Sequence, residues 1–194
     1  MTAARVRRGI ALLAQGMALI GGAVLLALIA LTSVSVLGRG LDTLAYSGRL
    51  PQSLADGLIA LGAGPITGDF ELVEAGIAFA IFAFLPICQL QGGHATVDIF
   101  TSRLGAQAQA WLAALWEGLL SAAICLITWR LGAGMLDKLG NGETTFLLQF
   151  PVWWAYAASL AAAAVASVVA IWCVLARLAQ AGAGQGNAPG GEAE

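Results

Sequence analysis

Four long apolar stretches, each nearly free of charge, fill most of this 194-residue chain, and the charged residues lie between them. Each stretch reaches or exceeds the roughly 20 residues a helix needs to cross a hydrocarbon layer of about 30 Å. In lipid, a spanning segment must satisfy its own backbone N–H and C=O groups, and an apolar run of this length does so as a helix. The pattern therefore predicts an all-α integral membrane protein with four transmembrane helices. Only 10% of the residues are charged and 59% are hydrophobic. Soluble domains average about 25% charged residues, so a soluble globular fold is excluded.

The apolar runs place the helices at about 9–37, 69–89, 108–136 and 150–178. They form one membrane domain, 9–178, between a short N-terminal segment (1–8) and a Gly-, Ala- and Gln-rich tail (179–194). The tail is expected to be disordered. The start of the chain imitates a signal peptide, because Arg5-Val6-Arg7-Arg8 precedes an apolar run. That run continues from Gly9 to Leu37, whereas the apolar core of a signal peptide is about 7–15 residues long. It reads as a retained first transmembrane helix.

The connection from Gly38 to Gly68 is long for a bundle loop. Within it, Pro51 precedes Leu54, Leu58 and Leu61, with Gln52, Ser53 and Asp56 between them. Leucines at this spacing share one helical face, and Pro suits a first helical turn. The segment predicts a short amphipathic helix lying in the membrane interface.

Lys and Arg placement sets the expected orientation. With the N-terminus cytoplasmic, that side carries Arg5, Arg7, Arg8, Arg103 and Arg177, and the other carries Arg39, Arg49 and Lys138. Both termini are therefore expected inside. Trp111, Trp116, Trp153, Trp154, Tyr156 and Trp172 lie near helix ends, at the headgroup level that indole and phenol rings favour. Small residues mark where helices can approach closely: Ala18 and Gly22 on the first helix, Ala114, Gly118 and Ala122 on the third, and an Ala-rich fourth.

The chemistry-bearing residues are few. Glu71 and Glu74 occupy the first turns of the second helix, where the dipole favours carboxylates. Arg130 lies about two turns before the end of the third helix, at a depth similar to that of Glu74. A charge within a membrane helix normally finds a partner, so a Glu74–Arg130 pair is expected. Glu117 is the most deeply placed carboxylate, with no Lys or Arg at an obvious matching depth. A proton relay needs several aligned ionisable groups, and here there is one. His94 is the only histidine, which excludes a haem held by two histidines of this chain. His94 and Asp98 stand four apart, too few for a metal site, and read as a turn at the membrane surface. Cys88, Cys125 and Cys173 lie in apolar stretches without metal-ligand or disulfide spacing. No P-loop, GxSxG or HExxH occurs. The net charge of −2, with no basic run beyond the first eight residues, does not suggest a nucleic-acid partner. Catalytic, cofactor and metal sites are therefore read as none.

Several fragments, in order and at fixed spacing, carry a resemblance. They are Gly68-Asp69-Phe70-Glu71-Leu72-Val73-Glu74, Phe84-Leu85-Pro86, Gly93-His94-Ala95-Thr96-Val97-Asp98, Gly142-Glu143-Thr144-Thr145 and Phe150-Pro151-Val152-Trp153-Trp154-Ala155-Tyr156. Together, over about residues 10 to 178, they resemble the small, DctQ-like permease subunit of TRAP (tripartite ATP-independent periplasmic) transporters. The Gly-x-His-x-x-Val-Asp element is the most specific of them. The resemblance implies a multi-pass protein of the bacterial inner membrane that is not an enzyme. Its implied partners are the lipid bilayer, a large sodium-coupled membrane subunit of about a dozen helices, and a periplasmic solute-binding protein that captures an organic anion such as a carboxylate. It further implies that Glu71, His94, Val97 and Asp98 maintain the fold or the contact with the large subunit. Two other readings compete on the residues alone: a membrane anchor of a redox enzyme, which would want more histidines, and a small channel, which would want a polar stripe through the whole membrane.

Overall fold

The computed structural model describes residues 2–48, 51–60, 62, 64–92 and 105–182. The described residues are helical almost throughout, in five helices: α1 (Thr2–Tyr46), α2 (Gln52–Ala60), α3 (Asp69–Gln91), α4 (Ala106–Asn141) and α5 (Trp153–Gly182). Of these, α1, α3, α4 and α5 are long and apolar enough to cross a membrane, in agreement with the four predicted spans. The expected helix after Pro51 is present as α2, which begins at Gln52 directly after the proline.

The helices run beyond the apolar runs that announce them. α1 has 45 residues, about 68 Å at 1.5 Å per residue, and extends past Leu37 through Arg39 and Asp42 to Tyr46. The loss of apolar character at Gly38 marks where lipid is expected to end, and a helix continues into a polar medium without difficulty. α4 likewise continues five residues past Leu136, and α5 four past Leu178. α3 ends near the predicted place. Gly92 closes it in the left-handed conformation (φ 62°), its N–H turned back to the carbonyls of Cys88 and Gln89, a cap that suits glycine. Pro86 lies inside α3 and is fully buried. A membrane helix tolerates such a proline where neighbouring helices cover the freed backbone.

The four long helices form an open row, α1–α3–α5–α4. α3 packs on both α1 and α5, α5 packs on α4, and α1 touches α5 only lightly. α4 faces α5 through buried Ala114, Glu117, Ser121 and Ile124, a 3–4 spacing that keeps one seam against the partner. α5 answers with Ala162, Ala163, Ala166 and Ala170, all at most 1% exposed. Small side chains let these backbones close in and gain dispersion contact. The small-residue faces, which could pack within the bundle or against another membrane protein, are used within it only in part. On α1 the close approach is at Gly21, where a Cβ would stand 2.9 Å from that of Ala83, and nothing lies near Gly22. On α4, Ala114 is buried but Ala122 is exposed.

Candidate functional site

Two polar clusters occupy the two opposite ends of the helices. At the first, the end of α1 meets the start of α3 and the α4–α5 turn. Ser35, buried on α1, donates to Asp69 Oδ2 (2.5 Å), and Arg39 Nη2 reaches the same oxygen at 3.0 Å. The Ile66 N–H donates to Ser35 Oγ at 3.3 Å, which ties the segment before α3 to α1. Arg39 is mostly exposed while Asp69 is not (58% and 13%), so solvent screens the pair and it adds little stability by charge alone. Its effect is to fix the register between α1 and α3.

Glu71 is the centre of this end. It is 6% exposed, and its two oxygens accept from the backbone N–H groups of Leu147 (2.7 Å) and Leu148 (2.9 Å). Those amides belong to a tight loop between α4 and α5. The loop is closed by Thr145 N–H to Phe150 O and Val152 N–H to Glu143 O, both 2.9 Å. Lys138 Nζ pairs with Glu143 Oε2 at 2.5 Å across its base. Gly68 (φ 77°) lies under Leu148, whose side chain would stand 2.5 Å from any Cβ placed there. One carboxylate thus clamps the α4–α5 loop over the start of α3.

The second cluster lies at the end where α1 begins and α5 finishes. Glu117 of α4 is nearly buried, with its side chain 8% exposed. Gln89 Nε2 of α3 donates to Glu117 Oε1, and Arg177 Nε of α5 donates to Oε2 at 3.1 Å. Ser121 Oγ donates to the Ala170 carbonyl at 3.2 Å. Three helices are joined through this carboxylate. The sequence placed no cation at its depth, and the structure corrects that. Arg177 sits five residues before the end of α5, and its long side chain brings the guanidinium to Glu117.

Glu74 and Arg130 do not pair. Both are exposed, and Glu74–Arg130 is not among the ion pairs of the described residues, which are Arg39–Asp69, Lys138–Glu143 and Arg177–Glu117. The helix order explains this, because α5 stands between α3 and α4. Arg130 also lies on the side of α4 turned away from the buried seam, and its guanidinium carbon is 6.0 Å from the Trp129 ring centroid. Glu74 shares the exposed stripe Phe70, Ile77 and Ile81 on α3. His94, Val97 and Asp98 lie outside the described residues.

A clamp at the start of α3, then three helices tied at the far end of the same segment, is the frame in which the family match falls. Residues 60–181 match the family described as tripartite ATP-independent periplasmic transporters, DctQ component. The chain belongs to the DctQ family. The match begins at the end of α2 and takes in α3, α4 and α5, so Glu71, Glu117, Gln89 and Arg177 all lie within the DctQ segment. No curated protein and no solved structure matches the chain. The DctQ assignment makes this multi-pass membrane protein a small TRAP transporter subunit. Among the described residues, no three His, Cys, Asp or Glu side chains are grouped to hold a metal ion.

Proposed function

We propose that this DctQ chain scaffolds the large, sodium-coupled membrane subunit of its transporter. In this reading it also contributes to docking a periplasmic binding protein during uptake of an organic anion such as a carboxylate. The protein sits in the bacterial inner membrane with both termini cytoplasmic. Glu71, His94, Val97 and Asp98 maintain the fold or the subunit contact, and Glu74 and Arg130 face the large subunit.

The observation that carries the reading is the open row of helices with two exposed charges on it. A self-sufficient bundle would turn Glu74 and Arg130 inward or pair them, because a charge facing hydrocarbon is costly. Here each stands on an outward surface beside exposed apolar side chains: Phe70 and Ile77 next to Glu74, Leu126 and Ile127 next to Arg130. A neighbouring membrane subunit with complementary polar groups satisfies them. The cytoplasmic placement of the termini rests on the Lys and Arg distribution, and the anion class rests on the family resemblance.

The test is a mild-detergent pull-down of the tagged chain from its native membrane, followed by mass spectrometry. Co-purification of a polytopic subunit of about a dozen helices, weakened by Arg130→Leu or Glu74→Leu, supports the scaffold. Recovery of a homo-oligomer alone, or of a haem- or flavin-bearing partner, refutes it.

A further inference from the structure

The second polar cluster borders a cavity of about 140 Å³ between α1, α3, α4 and α5. Its charged lining is Arg7 of α1, Arg177 of α5 and Glu117 of α4, with Gln89, Trp172 and Cys173 completing the polar and aromatic wall. The charge balance is informative. Each oxygen of Glu117 already accepts a hydrogen bond, one from Gln89 and one from the Arg177 guanidinium, so the carboxylate is engaged within the protein. Its negative charge is matched by Arg177. Among the described residues, the charge of Arg7 is left over, and the lining of the cavity carries a net +1.

Arg177 uses its Nε on Glu117. A guanidinium has five N–H donors in a rigid fork, so the terminal nitrogens remain to bind a second oxyanion. Glu117 and Gln89 hold that fork in place, which lowers the ordering cost of a ligand. A fork and a second guanidinium beside it match the oxygen geometry of a phosphate group. The level also fits. The cavity lies where α1 begins and α5 finishes, in the same turns of α1 as Arg5 and Arg8, and it includes an indole, a ring that favours the headgroup region. Basic pockets between membrane helices at this level bind anionic lipid headgroups.

We propose that this cavity binds a phosphate group, and that an anionic phospholipid headgroup is its usual source. The leftover charge of +1 suits a monoanionic phosphodiester. A zwitterionic headgroup brings an ammonium as well, and the one carboxylate present is already engaged. The bound lipid ties α1 to α5, which otherwise touch only lightly.

The test uses the full chain purified in mild detergent and supplied with phosphatidylglycerol or phosphatidylcholine, with retained lipid read by native mass spectrometry. Arg7→Gln removes the leftover charge at an exposed position and should lower phosphatidylglycerol occupancy on the order of tenfold. Arg5→Gln and Arg8→Gln remove the same charge outside the cavity and should leave occupancy unchanged. Arg177→Lys keeps the charge, loses the fork and should fall between. Inorganic phosphate added to lipid-free protein separates the sources. A rise in unfolding temperature that vanishes in Arg7→Gln, with no retained phosphatidylglycerol, supports the phosphate site and assigns it to free phosphate. Equal loss in all three Arg→Gln variants, equal retention of phosphatidylcholine, or no Arg7-dependent binding of either phosphate source overturns the proposal.

Discussion

The Glu117–Arg177 contact should behave as a coupled pair whose two single deletions cost more than their joint removal implies. The carboxylate is 8% exposed and the guanidinium 23%, so the acid is nearly desolvated while water still reaches the base. Breaking a fully buried pair by removing one partner costs about 3–5 kcal/mol. Intramembrane hydrogen bonds measured by double-mutant cycles contribute only about 0.6 kcal/mol on average. The geometry lies between these limits: one charge-assisted bond at 3.1 Å, a second bond donated to the carboxylate by Gln89, and a partly wet base. Arg177→Ala leaves Glu117 buried with its charge uncompensated and should cost about 2–3 kcal/mol. Glu117→Ala frees Arg177 to turn toward water and should cost less, about 1–2 kcal/mol. The double variant should then be less destabilised than the sum by about 1–2 kcal/mol. The assay is equilibrium unfolding in mixed micelles, followed by helical circular dichroism. A coupling below about 0.5 kcal/mol, within ordinary additivity, would refute the pairing and with it the view that this carboxylate joins three helices.

Other expectations are local. Glu71→Ala should speed amide exchange in the 143–152 loop roughly tenfold or more, since two N–H groups lose a charged acceptor, with α5 unchanged; hydrogen–deuterium exchange of that peptide checks it. Glu71→Gln, which keeps one side-chain acceptor oxygen, should fall between. Gly21→Val should destabilise the isolated chain by about 1–3 kcal/mol, because its side chain meets Ala83 across the α1–α3 contact, and Gly22→Val should be near neutral; both are read by the same unfolding assay. Glu74→Leu and Arg130→Leu should leave the stability of the isolated chain within about 0.5 kcal/mol while reducing co-purification of the large subunit. A charge-swapped Glu74→Arg, Arg130→Glu double variant should not restore it, because the two residues do not meet.

What the sequence made legible follows from what kind of force places each part. Lipid immersion acts on every residue of a span, so α3 could be placed to within about two residues from hydropathy alone. The helix after Pro51 was legible because proline and leucine spacing are local signals. The long extensions of α1 and α4 were not, since apolar runs report the solvent and not the hydrogen-bond ladder. Glu71 illustrates a deeper limit. Its position was singled out by its place at a helix start and by family resemblance, but its partners are backbone amides of Leu147 and Leu148, which any residue type could supply. The Glu74–Arg130 expectation failed for a related reason. Depth along the membrane can be counted from sequence, whereas the lateral order of helices cannot, and α5 stands between α3 and α4. Gly21 and Gly22 differ by one residue and about 100° of rotation, a distinction that a small-residue pattern does not resolve.

The lateral order also bears on how the subunit works as a scaffold. In a closed four-helix bundle every helix has two neighbours and few faces remain for others. In this row α1 and α4 are the outer members, and both carry many exposed apolar side chains, among them Leu19, Leu26, Ile29 and Leu37 on the first and Trp111, Leu119, Leu126 and Leu136 on the second. Such a slab has two broad faces and two edges, and no helix is enclosed by the others. The polar clusters supply the fixed points: Ser35, Asp69 and Glu71 lock one end, and Gln89, Glu117 and Arg177 lock the other. Between them Thr128 bonds the Ala163 carbonyl at 3.2 Å and Ser167 at 2.9 Å, joining α4 to α5 midway. A shape fixed at both ends and the middle, with its faces left open, suits a part that must present a stable surface to a moving neighbour. Weakening a clamp should therefore loosen assembly even where no residue at the contact has changed, and Glu71→Ala in the pull-down provides that comparison.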